Sequence, residues 1–251
     1  MRARHLQWLP PILFVTLSAC STSPEFDRAG MQDTLHQRLD LVGERESKPP
    51  ETNHAMESHP PLAGPFRLGV YFVRTEFPTR QSVQSGEWLS AEKDRLVQRL
   101  TQLHSDRILR EVVVLAEPTV RTLTRQELRQ ASVRYGIDVL LLVDGIGSVD
   151  RHNNAYALLY PTLLGAWLAP GTVIDALFMI DGTLWDLRTD KLLDRQTAEG
   201  QAQRTGAVIL VEDAEVLREA KHRAIEAFGT GLVQHLRSLT QTRSDAPAAL
   251  R

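Results

Sequence analysis

A single cysteine, Cys20, constrains this chain more than any other residue, because of what precedes it. Arg2 and Arg4 make a positive start, Leu6–Leu17 is an apolar run, and the small residues Ser18 and Ala19 lead into the thiol. That order is the layout of a cleavable secretory signal. The run is too short for a stable bilayer span, and Pro10 and Pro11 shorten its helical part. A cysteine directly behind the small residues makes it a bacterial lipoprotein signal. Residues 1–19 are then the signal peptide. Cys20 receives a diacylglycerol on sulfur and an acyl chain on the new amino terminus, and no other cofactor is called for. Lipidation uses the only thiol, so whatever folds behind it has no disulfide and must rely on its core. Ser21, where an Asp would favour inner-membrane retention, points to the outer membrane with the domain facing the periplasm.

Charge excludes one class of partner. The whole chain carries a formal −2, and loss of Arg2 and Arg4 with the leader makes the mature form more acidic. A nucleic-acid binder needs a clustered basic surface, which is absent from the sequence.

From Ser21 to Pro65 the chain is polar and punctuated by Pro24, Pro49, Pro50, Pro60, Pro61 and Pro65. Residues 20–65 are therefore expected to be the lipidated cysteine and a flexible tether, with Lys48–Pro65 disordered. A tether of that length reaches roughly 35–40 Å. Phe26, Leu35, Leu39 and Val42 fall near helical spacing, so a short helix inside the tether is the alternative.

Residues 66–240 carry the pattern of one α/β domain, and 241–251 read as a disordered tail. Phe66–Val73 (FRLGVYFV) predicts a strand. Leu89, Leu96, Leu100 and Leu103 share a face of a helix opening at Ser90, and Glu111–Leu115 predicts a short buried strand. Thr124 to Glu127 is a capping box, and Gly136 suits the end of the helix it opens. Asp138–Val143 follows at once. Continuous apolar strands between helices suit a parallel sheet covered on both faces. The expected fold is thus α/β and three-layered, with β-α-β-α-β first. An antiparallel hairpin (Thr172–Leu187 with Leu192–Gly200) and a long helix over Glu212–Leu239 complete it. Gly229 and Gly231 inside that helix suggest a kink or a close contact.

Catalytic signatures are missing. The histidines show no metal-ligand spacing, and no G-x-S-x-G elbow occurs. Gly145 to Asp150 follows a strand but lacks the third glycine of a dinucleotide loop, which predicts a turn or bulge. Asp138, Asp144, Asp175, Asp181 and Asp186 fall around the strands, yet no spacing picks out a catalytic pair.

One stretch stands apart. From His152 to Ile174 there is no Asp, Glu, Lys or Arg, and the segment includes AYALLYPTLLGAWLAP. Pro161, Gly165, Pro170 and Gly171 argue against a continuous helix. Three readings stand open: a buried excursion on the sheet, an exposed surface for a partner or a second copy, or a membrane-inserting hairpin. The residues that would make the contact are Tyr160, Leu163, Leu164, Trp167 and Leu168.

The segments REVVVL, YGIDVLLLVDGIGSV and VIDALFMIDGTLWDLRTDKLLDRQTAEG, together with FRLGVYFV, resemble the rhombotarget lipoprotein family. More broadly they resemble the periplasmic α/β domain of the curli secretion lipoprotein and of lipoproteins that activate peptidoglycan synthases. The resemblance covers roughly 66–239. It implies a non-enzymatic envelope lipoprotein and gives no partner; an envelope protein partner or a homo-oligomer is expected instead from the charge-free stretch. The alternative it implies is a subunit of an outer-membrane secretion channel, with residues 155–172 as the inserted or oligomerising element.

Overall fold

The computed structural model describes residues 26–44, 64–73, 83–85, 88–116, 120 and 124–241. The leader, Cys20 and the tail beyond 241 lie outside them, as does the linker up to Ala63. The elements run α1 (Arg28–Glu44), β1 (Phe66–Phe72), β2 (Val83–Ser85), α2 (Ser90–Ser105), β3 (Leu109–Val114), α3 (Arg125–Arg134) and β4 (Val139–Asn153). A 3-10 turn (Ala155–Leu159), α4 (Leu163–Leu168), β5 (Thr172–Asp186), β6 (Lys191–Gly206) and α5 (Asp213–Gln241) follow.

The sheet is ordered β3-β1-β4-β5-β6. β1 lies parallel to both β3 and β4, while β4-β5-β6 form an antiparallel meander. The chain moves outward from β1 to β3 through α2 and returns across β1 to β4 through α3. Right-handed crossovers in opposite directions place the two helices on opposite faces. On one face α2 and α5 bury Leu96, Leu100, Leu103, Ala224, Phe228 and Leu232 against Leu68, Val70, Leu141 and Phe178. The other face carries α3 and α1 over Tyr71, Leu140, Leu142, Ile146 and Leu177. The three-layer α/β class expected from the sequence is the one observed.

Local chemistry explains the boundaries. Glu127 donates its backbone N–H to the Thr124 hydroxyl at 3.3 Å, opening α3, and Gly136 leaves it at φ +61°. Gly200 of β6 faces α5 so closely that a Cβ would lie 2.2 Å from the Ala220 carbonyl oxygen. Within α5, Gly229 packs against Leu96 and Arg99 of α2, which is the close-contact reading of that glycine.

Four expectations change. Residues 145–150 are no turn, because β4 runs unbroken to Asn153, with β5 paired opposite every residue. Strand β3 is an edge rather than a buried strand, with Arg110 and Glu111 exposed. Polar side chains of this kind suit a strand with a free flank. β6 continues to Gly206, six residues past the expected end. The fourth change concerns the tether. Over 28–44 it is a helix, and Met31, Leu35 and Leu39 are buried against the sheet. Apolar side chains at this spacing make a stripe that the β4–β5 surface covers, so this stretch belongs to the domain.

The antiparallel half outruns the parallel half. β1 accompanies β4 only as far as Val143, and β2 takes the same flank from Ile146 to Ser148. Beyond Ser148, among the described residues, β4, β5 and β6 project together as a three-stranded tongue, and the charge-free stretch sits at its tip.

Candidate functional site: an apolar cap on the sheet tongue

The tip is built from polar groups that satisfy one another and apolar groups that face outward. Asn154 closes the base. Its backbone N–H donates to the Gly171 carbonyl at 2.9 Å, its side-chain amide donates to Pro170 O at 2.9 Å, and its Oδ1 accepts from Tyr156 N at 2.9 Å. Thr162 caps α4 by accepting from Gly165 N at 2.9 Å, and its hydroxyl donates to Leu159 O at 2.7 Å. The Tyr160 hydroxyl meets Thr172 Oγ1 at 2.7 Å and braces the cap against the first residue of β5. Gly165 is required by close approach: a Cβ there would sit 1.8 Å from the Leu159 carbonyl oxygen.

The polar atoms turn inward and the large apolar side chains face outward. Leu158 is 84% exposed, Leu168 76%, Leu164 74% and Trp167 61%, with Tyr156 and Leu159 also exposed. The buried-excursion reading fails on these values. Of the residues expected to make contact, Leu164, Trp167 and Leu168 are free at the surface, while Tyr160 is half-buried and acts as a strut. Leu163 opens α4. The structure adds Tyr156, Leu158 and Leu159, which belong to the same charge-free run and were legible there. It also adds Ile209 and Leu210, exposed in the turn after β6. Nothing local marks that dipeptide. It joins the cap because Gly206 pairs with Thr172, and because Arg151 at the base of the cap donates to Val208 O at 3.0 Å.

Behind this apolar end stands a collar of paired charges. Arg151 meets Asp213 at 3.1 Å, Arg204 pairs with Glu215, and His152 lies 3.5 Å from Asp150 and 3.7 Å from Asp175. Gln203 donates to Asp175 at 2.8 Å.

The aspartates are gathered, but into structural pairs. Asp144 and Asp181 sit directly opposite on β4 and β5 and are fully buried. Arg38 of α1 reaches Asp144 at 3.1 Å, and Arg195 of β6 reaches Asp181 at 2.8 Å and Asp40 at 3.0 Å. Buried carboxylates demand such partners, so this cluster clamps α1 to the sheet. On the opposite face Lys221 meets Glu92 at 2.7 Å above the Trp88 and Phe178 rings, tying α5 to the start of α2. Among the described residues, no group of three or more His, Cys, Asp or Glu is placed to hold a metal. No described helix is long and apolar enough to cross a membrane.

No family model and no curated protein matches the chain, so the narrower rhombotarget resemblance rests on the quoted segments alone. Solved structures do resemble it. A neuraminyllactose-binding hemagglutinin homologue from Helicobacter pylori is 10% identical at a TM-score of 0.37, over 79% of this chain and 97% of that one. A minor lipoprotein from Acinetobacter baumannii is 11% identical at a TM-score of 0.29, over 73% and 96%. The PelC dodecamer from Paraburkholderia phytofirmans is 12% identical at a TM-score of 0.29, over 69% and 93%. Likenesses of this size leave the functional reading to the chain's own residues.

Proposed function

We propose that this chain is a lipid-anchored, non-enzymatic binding or assembly component of the bacterial envelope, held at the periplasmic face of the outer membrane by acyl chains on Cys20. The narrower rhombotarget family is part of this proposal. The observation that carries it is the cap: a charge-free knob with Leu158, Leu164, Trp167 and Leu168 exposed together at one end of the sheet. A soluble domain rarely leaves such a patch bare unless it meets a partner or a lipid surface. The two facing buried carboxylates, Asp144 and Asp181, are paired with arginines.

The channel-subunit alternative needs paired membrane strands of about 9–11 residues with alternating faces. Here Asp150, Arg151, His152 and Asp175 occupy the strand ends beside the cap, and α4 and a 3-10 turn fill the space between. These features favour a knob over an inserted barrel wall.

Trp167→Asp in the full mature chain is the test. Circular dichroism is expected to be unchanged, while binding through the cap is lost. Unfolding of the variant, or a wild-type chain that stays monomeric and binds neither membranes nor an envelope protein, removes the contact reading.

A further inference from the structure

We infer that the occupant of the cap is the lipid surface of the same bilayer that holds Cys20, entered to headgroup depth. This rests on the reading that Cys20 is the anchored residue and deepens it by assigning the cap its partner. The argument is the direction of α1. Asp40 pairs with Arg195, His36 lies 3.7 Å from Asp181, and Arg28 pairs with Glu199 at 3.1 Å. From Arg195 through Glu199, β6 runs toward Gly206 at the base of the cap. The amino-terminal end of α1 therefore points toward the cap, not away from it. Phe26 packs against the cluster formed by Met31, Leu35, Ile146, Leu177 and Met179, and from Leu177 to Thr172 at the cap base the strand covers about 17 Å. From Cys20 to Phe26 the chain spans at most about 20 Å. The anchored residue and the apolar cap can thus meet one plane, and a membrane holding the first is presented to the second.

The chemistry of that end agrees. Leucines with Tyr156, Tyr160 and Trp167, and no formal charge between 153 and 174, suit the boundary between headgroups and acyl chains. Ile209 and Leu210 widen the same surface. The ion pairs Arg151–Asp213 and Arg204–Glu215 form the collar at which penetration stops. Insertion of about 5–10 Å, as for interfacial helices, is what a knob of this build allows.

The test uses the single cysteine. The mature chain is coupled through Cys20 to a maleimide-bearing phosphatidylethanolamine in vesicles of phosphatidylethanolamine and phosphatidylglycerol. Bromine is placed near either the carbonyl end or the methyl end of the acyl chains. The Trp167 emission is the difference between the wild type and Trp167→Phe. Carbonyl-end bromine is expected to quench it, and Leu158→Asp combined with Leu168→Asp to remove the quenching without altering circular dichroism. Unquenched Trp167, stronger quenching from the methyl end, or a lipid-free dimer that Trp167→Asp dissociates each overturns the inference. Chemical coupling makes the readout independent of acylation in cells, which fatty-acid labelling of the wild type against Cys20→Ala reads separately.

Discussion

Arg38 and Gly165 show two ways in which one residue holds this molecule together. Arg38 faces Asp144, a carboxylate with 1% exposure, so Arg38→Ala removes an ion-pair partner of a buried charge. Breaking such a pair costs about 3–5 kcal/mol. For a domain of this size the melting temperature is expected to fall by about 10 °C. An unchanged melting curve would show that Asp144 is satisfied without the helix. Gly165 works by its lack of a side chain. In Gly165→Ala the new methyl meets the Leu159 carbonyl, and overpacking of this kind costs about 1–3 kcal/mol. The strain falls on the cap, not on the sheet. Faster proteolysis within 155–171 at an unaltered global melting temperature is therefore expected, and equal cleavage of the two proteins would count against a closely packed cap.

At the scale of elements, α1 is the piece whose membership matters most. Met31, Leu35 and Leu39 cover Ile146, Leu177, Met179 and Leu140, and Arg38 completes the clamp beneath them. Burial of three such side chains contributes roughly 5 kcal/mol. A fragment covering 65–240 is expected to melt well below one covering 26–241, or to aggregate through the uncovered strand surface. Identical, cooperative melting of the two fragments would return α1 to the tether. The helix was legible as a weak periodicity in Phe26, Leu35, Leu39 and Val42. Its docking was not, because the surface it covers is made by strands more than a hundred residues away.

For the whole molecule the docked helix redraws the distance to the membrane. A tether over residues 20–65 would let the domain stand off by tens of ångströms. With α1 seated, only the stretch from Cys20 to Phe26 separates the proposed anchor from the domain, so a surface-hugging particle is expected. Neutron reflectometry on the lipidated chain reads this as a protein layer in contact with the headgroups, and a water-filled gap beneath the layer would contradict it. Cys20→Ala is expected to abolish incorporation of labelled fatty acid and release the protein from the membrane fraction. Equal labelling of both forms would remove the anchor, and with it the orientation.

What the sequence determined by itself is what depends on neighbours along the chain. The alternation of apolar strands and capped helices specified the α/β class. The Thr124 cap and the φ of Gly136 bounded α3, and the run without charge between His152 and Ile174 singled out the segment that carries the cap. Local patterns suffice there because caps, turns and amphipathic faces are short-range physics. Only the tertiary structure decided which way that segment faces. Apolar composition suits a core and an exposed knob equally, and the outcome turned on β4 and β5 running together past the end of β1 to a tip whose large apolar side chains stay exposed. The pairing of Asp144 and Asp181 with Arg38 and Arg195, and the approach of α1 toward the cap, are likewise facts of register and packing. They join residues far apart in the chain, where spacing holds no information and only the assembled sheet brings the groups together.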